Sequence, residues 1–341
     1  MSSSKSSDQG LAAVLQVLRG AADAISGEGL AAQLGLTRAA VWKRVNRLKA
    51  RGYVIEGSPR RGYRLLAVPD KLLPEEVLEG LKTRSFLGPV HHFETLDSTN
   101  DLAKELAAQG APEGTVVVAE AQTGGRGRLG REWNSPPGVG LYVSLVLRPM
   151  LPPMELPQIT LTTAVAVVRA VRRVAGVAPG IKWPNDLLFN GKKLGGILTE
   201  METESDRIRY VVVGLGLNVN NPGFPPELAA TATSLTLTAG GTFSRVNLLK
   251  AWLEEFEELY GRFLNQGFPE ILEEWKCSTV TLGRAVTVRQ GPREISGQAL
   301  DIAPDGALLL RTASGEIVRV TSGEITPGSH AEPGVQNLAG R

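Results

Sequence analysis

A single cysteine, Cys277, and three histidines, His91, His92 and His330, are all the thiol and imidazole that 341 residues offer to disulfide or zinc chemistry. One thiol cannot close an intramolecular disulfide, which fits a reducing compartment. Beside Trp275 on an amphipathic helix, it reads as inert. His91 and His92 adjoin on an expected strand and so face opposite sides, which argues against a zinc site. No apolar run approaches the roughly 20 residues that cross a bilayer. The first ten residues are Ser-rich and lack the apolar centre of a secretion signal, so a cytoplasmic protein with no membrane contact is expected. No Gly-Lys-Ser/Thr occurs, which excludes a P-loop. The one Gly-x-Gly-x-x-Gly, at Gly125–Gly130, runs into Asn134-Ser135-Pro136-Pro137-Gly138 where a dinucleotide fold needs a helix. Any nucleotide must be held by another device.

What is present is a charge asymmetry. The net charge of +2 conceals eleven basic against four acidic residues in positions 1–69, and 26 against 31 in the remainder. A basic small domain on a mildly acidic body places the polyanion contact in the first part. There, Leu11–Leu18 has helical spacing, a short helix spans Glu28–Leu34, and Thr37 is a fitting N-cap for a third helix to about Ala50. Val41, Val45 and Leu48 form its inward stripe. Tyr53–Glu56 and Tyr63–Leu66 flank a basic turn with Arg60-Arg61 at its tip. Three helices and a basic hairpin read as a winged helix-turn-helix, with Thr37, Arg38, Trp42, Lys43, Arg47, Arg60 and Arg61 as DNA-contact candidates. Trp42 lies off the apolar stripe, either facing DNA or packed under the wing. Winged helices that bind only protein, and basic faces that are merely solvated, are the alternatives.

The centre of the chain is organised around Gln122–Trp133, in which four glycines and three arginines lie between two strand-like runs, Thr115–Ala119 and Leu141–Leu147. The glycines let backbone close on a ligand and the arginines supply fixed charged forks for carboxylate or phosphate. Upstream, Asp97-Ser98-Thr99-Asn100-Asp101 opens a helix, with Ser98 and Asp101 spaced as a capping box. Capping and ligand contact at the helix N-terminus are both open for Ser98 and Thr99. Downstream come a long apolar helix, Met154–Val174, then Lys182-Trp183-Pro184-Asn185-Asp186 and an Asn190-Gly191 hairpin turn. Lys193-Leu194-Gly195-Gly196-Ile197 and the glycine-punctuated Gly214–Asn220 follow. Hairpins mixed with helices argue for an α+β core. After helices at Val246–Asn265 and Pro269–Cys277, short strands with turns read as a small SH3-like β-barrel. The expected domains are 11–68, 69–277 and 278–326, with disordered tails at 1–10 and 327–341.

The Asp97–Asn100, Gly125–Trp133, Lys182–Asp186 and Lys193–Ile197 segments, in that order, resemble the motifs of biotin protein ligases. With the winged helix and the barrel, the resemblance extends to the bifunctional biotin ligase–biotin operon repressors over residues 11–326. It implies a central domain related to class II synthetases, and two steps. Biotin and Mg·ATP give biotinyl-5′-AMP and pyrophosphate, and the biotinyl group then passes to a lysine of a biotin carboxyl carrier protein. By motif, Ser98, Thr99, Asn100, Gln122, Arg126, Gly127, Arg128, Lys193 and Gly196 would hold biotin. Arg126, Arg128, Arg131, Trp133, Asn185, Asp186 and Asn218 would hold the nucleotide, with Trp133 over the adenine. Arg128, Lys193 and Lys182 would serve catalysis; which of Lys182, Lys192 and Lys193 does the chemistry stays open. No protein cage for a metal is implied, Mg²⁺ arriving on ATP near Asp186.

The resemblance further implies that biotinyl-AMP acts as corepressor, driving a homodimer onto operator DNA through an ordered glycine lid. Leu129 departs from the family, where that position is often basic. Alternatives are a lipoate or octanoate transferase of related fold, a ligase whose winged helix does not regulate transcription, a biotin sensor without activity, and an RNA-binding arginine–glycine loop. The last does not account for the separated lysine-bearing segments.

Overall fold

The computed structural model describes residues 2–58, 61–86, 88–204 and 206–327. It divides into two compact units at Lys71/Leu72. In the first, α1 (Ser2–Gly20), α2 (Gly27–Leu34) and α3 (Arg38–Ala50) precede a hairpin of β1 (Val54–Ser58) and β2 (Gly62–Ala67). Leu11, Val14, Leu15, Leu30, Val41, Val45 and Leu48 close its core. Thr37 Oγ1 caps α3 by accepting from the Ala40 N–H at 3.1 Å. Tyr63 exchanges two backbone hydrogen bonds with Ile25, at 2.8 and 2.9 Å. Gly62 is required there: its φ is +81° and a Cβ would lie 2.2 Å from the Ile25 carbonyl.

One expectation is corrected. Residues 2–10, expected as a disordered tail, are the first turns of α1. They contain no proline, and the buried Leu11–Leu18 stripe supplies the nucleus from which the helix extends backwards. At the other end Pro327 closes the last strand, and residues 328–341 lie outside the described residues.

The second unit opens with α4 (Pro74–Leu78), which ends early because Gly80 turns the chain at φ +65°. A seven-stranded sheet follows, built from β3 (Val90–Phe93), β4 (Val116–Ala119), β5 (Gly140–Leu147), β6 (Gly180–Lys182), β7 (Asp186–Phe189), β8 (Lys192–Glu204) and β9 (Arg207–Asn218). Its order is β3-β4-β5-β9-β8-β7-β6. Only β3 and β4 run parallel; α5 (Thr99–Ala108) connects them, as a parallel pair requires. Asn190 and Gly191 both take positive φ, +48° and +77°, making the β7–β8 turn.

The period-2 alternation of the strands assigns each face. Val116, Val118, Val143, Leu145, Val211 and Val213 pack toward α6 (Leu156–Ala175), while Val117, Val146, Tyr210 and Val212 pack under α5. Short helices α7 (Pro226–Ala229) and α8 (Leu235–Ala239) precede α9 (Arg245–Gln266), which lies on α6, and α10 (Pro269–Ser278), which carries the exposed Cys277.

The chain ends in a five-stranded antiparallel sheet of β10 (Ala285–Gln290), β11 (Arg293–Ile302), β12 (Leu308–Arg311), β13 (Ile317–Val320) and β14 (Glu324–Pro327). The order is β13-β12-β11-β10-β14. Its Val286, Val288, Ile302 and Leu308 belong to the same core as α6. Among the described residues no helix is long and apolar enough to cross a membrane.

Candidate active site

On the α5 face of the sheet the side chains shrink where three central strands meet. Register places Ser144, Gly214 and Leu198 in one row across β5, β9 and β8, and Tyr142, Gly216 and Gly196 in the next. Where Gly214, Gly216, Gly196 and Ser144 leave the sheet with little or no side chain, a cavity of about 540 Å³ remains above it. The first turn of α5 closes one side, the Gln122–Trp133 loop crosses over it, and Lys182–Asp186 and β14 complete the wall.

Every biotin, nucleotide and catalytic candidate read from the sequence lines this one cavity. Ser98, Thr99, Asn100, Gln122, Arg126, Gly127, Arg128, Arg131, Trp133, Lys182, Asn185, Asp186, Lys193, Gly196 and Asn218 all contribute to it. Leu129 does not. It sits exposed at the apex of a short turn, Arg128–Gly130, with φ +58°.

The α5 end is polar and ordered. Ser98 Oγ accepts from the Asp101 N–H, so it is the helix cap and a cavity-lining hydroxyl at once. Gln122 Oε1 accepts from both the backbone N–H of Thr99, at 2.9 Å, and its hydroxyl, at 3.1 Å. The Gln122 amide in turn donates to Ser135 Oγ. Asn100 donates to the Leu198 carbonyl at 3.2 Å and to Glu200 at 2.9 Å, while Ser144 Oγ lies 2.6 Å from its Oδ1. A Cβ on Gly214 would stand 2.1 Å from that oxygen, so the approach of α5 to β9 depends on glycine.

The opposite end is charged. Lys193 Nζ lies 2.8 Å from Asp186 and 5.5 Å from the centre of the Trp133 ring. Trp133 lies on the glycine surface: a Cβ on Gly216 would stand 2.6 Å from it, and one on Gly196 3.5 Å. Its indole N–H is buried with no acceptor among the described residues. Arg128 donates to Asn185 Oδ1 at 3.1 Å and to the Gly323 carbonyl at 3.4 Å. Burial lowers the Arg128 pKa, against the pull of Asp186 and Glu324. Burial also lowers that of Lys182; Asp186 opposes the shift and Lys193 adds to it. Arg126 pairs with Asp101 and Arg131 with Glu324.

The Lys182–Asp186 segment is fixed from behind. Trp183 is buried, donates from its indole nitrogen to the Gly306 carbonyl at 3.0 Å, and its N–H donates to Thr281 at 2.9 Å. The Asn185 amide donates to the Ile197 carbonyl and that of Asn218 to the Thr233 carbonyl. No group of three His, Cys, Asp or Glu side chains that could hold a metal ion occurs among the described residues.

Several lining or supporting residues escaped the sequence reading. Ser144 and Glu200 orient Asn100, and Phe224, Leu228 and Thr231 form a further wall. Gly323, Glu324 and Thr326 enter from the C-terminal sheet. The glycine runs at Gly195-Gly196 and Gly214–Gly216 were the available signal for the cavity floor; Ser144 and the C-terminal residues carried none.

In the first unit, Thr37, Arg38, Trp42, Lys43, Arg47 and Arg61 are all exposed; Arg60 lies outside the described residues. Trp42, at 61% exposure, is not packed under the wing.

Residues 92–218 match the Biotin/lipoate A/B protein ligase family, residues 11–64 an HTH domain, and residues 281–326 the Biotin protein ligase C terminal domain. The chain is 43% identical to the bifunctional ligase/repressor BirA of Bacillus subtilis (strain 168), over 89% of this chain and 94% of that protein. It is 33% identical to the biotin–[acetyl-CoA-carboxylase] ligase of Mycobacterium tuberculosis, over 67% of this chain and 85% of that one. Among solved structures, the biotin protein ligase from Aquifex aeolicus in complex with biotin and ATP aligns with a TM-score of 0.61 and 32% identity, covering 70% of this chain and 97% of that chain. Three matched regions in this order, with those identities, establish that the chain belongs to the biotin protein ligase family, in its bifunctional ligase/repressor form.

Proposed function

We propose that this chain activates biotin with ATP to biotinyl-5′-AMP and transfers biotin to a lysine of a biotin carboxyl carrier protein. The observation that carries the reading is the convergence of four separated sequence segments on one cavity, polar at one end and cationic at the other. In the first step a biotin carboxylate oxygen attacks the α-phosphorus and pyrophosphate leaves. In the second a neutral carrier amine attacks the acyl carbon, AMP leaves, and the amine gives up its proton. Two unit charges at 4 Å repel by about 4 kcal/mol at an effective dielectric constant near 20. Arg126, Arg128, Arg131, Lys182 and Lys193 face Glu132, Asp186 and Glu324 around the cavity, a cationic excess that offsets this repulsion.

In this reading Ser98, Thr99, Asn100 and Gln122 take the ureido head of biotin. Arg126, Gly127, Arg128, Lys193 and Gly196 flank its chain and carboxylate. Trp133 covers the adenine, with Arg131, Asn185, Asp186 and Asn218 near the nucleotide. Mg²⁺ travels with the triphosphate, the pocket offering Asp186 and no cage. Arg128 and Lys193 stabilise the phosphoryl charge, and Lys182, whose ammonium is disfavoured by burial, serves transfer.

A lipoate or octanoate transferase of related fold is the alternative; the relatives matched over two thirds or more of the chain are named as biotin ligases or ligase/repressors, which favours biotin. Pyrophosphate exchange with biotin against lipoate tests this. Exchange with lipoate alone would sink the ligase reading.

We infer that the first unit binds operator DNA upstream of biotin synthesis genes in the cytoplasm, as a homodimer assembled when biotinyl-AMP fills the site. The exposed Arg38, Lys43, Arg47 and Arg61 support it. Biotin with ATP should tighten operator binding, and K43A or R61A should weaken it and lower the salt slope by about one. Operator affinity indifferent to biotin and ATP leaves the ligase alone.

A further inference from the structure

The lid's outer arginines are held by residues no ligand reading assigns. Arg131 pairs with Glu324, and Arg128 donates to the carbonyl of the preceding residue, Gly323. Both acceptors sit at the start of β14, the strand that returns to pair with β10 through Val288–Ile325 and Arg289–Glu324. Gly323 is built for this place. Its φ is +146°, and a Cβ would stand 2.5 Å from the Val288 side chain and 2.9 Å from the Arg289 carbonyl. Only glycine brings the chain this close to β10 while leaving its carbonyl toward Arg128. Glu324 is three-quarters buried on its side chain, whereas Arg131 is 65% exposed. The carboxylate is therefore the fixed partner and the lid arginine the movable one. The charge of Glu324 also reaches Arg128 and Lys182.

We propose that Glu324 is a positioning residue, a latch on the C-terminal sheet that holds the arginine–glycine lid over the cavity through Arg131, with the Gly323 carbonyl receiving Arg128. This rests on the reading of the cavity as an acyl-adenylate site, and adds that lid closure is set from outside the catalytic sheet. Through the latch the C-terminal sheet governs how long an adenylate stays enclosed. The lid's other end is held by Arg126 and Asp101 on α5, and two backbone hydrogen bonds, Gly127 N–H to the Arg131 carbonyl and Trp133 N–H to the Gly125 carbonyl, join the halves, so loss of the latch loosens the Arg128–Trp133 half more than the other.

Hydrogen exchange of lid amides in the full-length protein, without ligand, tests the latch directly. In E324Q the amides of residues 128–133 should exchange about two- to fivefold faster, the range expected of a pair with one exposed partner. Amides of β10–β12 should be unchanged, and E324D should restore part of the protection. Dissociation of biotinyl-AMP should accelerate by a similar factor. Unchanged lid exchange overturns the proposal, and so does a rise in β10–β12 exchange that matches the lid, since the effect would then be loss of the sheet. Faster lid exchange in a protein that makes no biotinyl-AMP would keep the latch and remove the adenylate reading.

Discussion

Ser144 Oγ lies 2.6 Å from Asn100 Oδ1 and 2.9 Å from Thr99 Oγ1, fully buried in the middle of β5. Its proton goes to Asn100 Oδ1, the nearer acceptor, with the Thr99 hydroxyl alongside, so a strand interior sets side chains on the first turn of α5 that face the cavity. Truncation in Ser144→Ala leaves Asn100 Oδ1 without this donor. A lost buried hydrogen bond costs about 1–2 kcal/mol, which corresponds to roughly a tenfold loss of biotin affinity. Expected in pyrophosphate exchange is a biotin KM raised by that order, with the ATP KM and kcat little changed. A lower kcat at unaltered biotin KM would place Ser144 outside biotin recognition.

Gly216 reports on the other end of the cavity. Its α5-facing position is filled by the Trp133 ring, which a Cβ would approach to 2.6 Å. Gly216→Ala must displace the ring or the strand, and overpacking of this kind costs about 1–3 kcal/mol. Because Trp133 belongs to the lid, the expected result is an ATP KM raised by about tenfold or more, with Trp fluorescence altered in the absence of ligand. An unchanged ATP KM would separate Trp133 from the nucleotide.

Glu120 anchors the strand that presents Gln122. Burial pushes its pKa up, but hydrogen bonding from His92, the Arg245 charge and the Leu72 N–H overcome this and hold it at about 2, below the ordinary 4.5. Its carboxylate accepts from Arg245 at 2.7 Å, from the Leu72 N–H at 2.9 Å, and lies 3.1 Å from His92. The unfolded chain binds this proton more readily, so the stabilisation is complete above pH 4.5 and is lost as pH falls toward 2. The shift sets an upper bound of about 3 kcal/mol. Acid unfolding followed by tryptophan fluorescence should be less steep in Glu120→Gln by up to one proton. An identical slope would assign acid sensitivity elsewhere.

Much of the cavity lining is legible in the sequence because it comes in short contiguous blocks. Asp97–Asn100 combines a helix cap with cavity-facing groups, and Gly125–Trp133 combines arginines with the glycines that let the loop cross the cavity. Those blocks can be read before folding, and they converge on one cavity. What stayed hidden depends on register and long-range return. Ser144 is a polar residue inside an apolar run, and only its pairing opposite Gly214 gives it a role. Glu324 belongs to a Ser-Gly-Glu tripeptide that also occurs at Ser26–Glu28, where it opens α2, and at Ser314–Glu316, where Gly315 makes an ordinary turn. The tripeptide itself does not separate the three copies; β14 pairing with β10 does. Residues 2–10 are helical where composition predicts a tail, because composition describes a peptide in water, not one continuing a helix already nucleated by a core.

Lys193 and Asp186 decide how the cationic end is poised. Their ion pair, at 2.8 Å, holds the ammonium beside the Trp133 ring with Asp186 also facing Lys182 and Arg128. On the proposed reading, an incoming carboxylate and triphosphate would compete for that ammonium, with Asp186 neutralising it in the empty site and yielding it as charge arrives. If that reading holds, Lys193→Gln removes a cation that faces developing phosphoryl charge, and loss of one such donor typically costs about 10²–10³ in kcat. Lys193→Arg keeps the charge but not the point geometry and should fall between. Asp186→Asn should act oppositely on ground-state binding, raising affinity for inorganic pyrophosphate several-fold while leaving Lys193 without its holder and lowering kcat. Single-turnover measurement of biotinyl-AMP formation, with pyrophosphate inhibition measured alongside, reads both effects. If Lys193→Gln forms the adenylate at the parent rate, the phosphoryl step does not use this ammonium, and Arg128 with Arg126 must carry it.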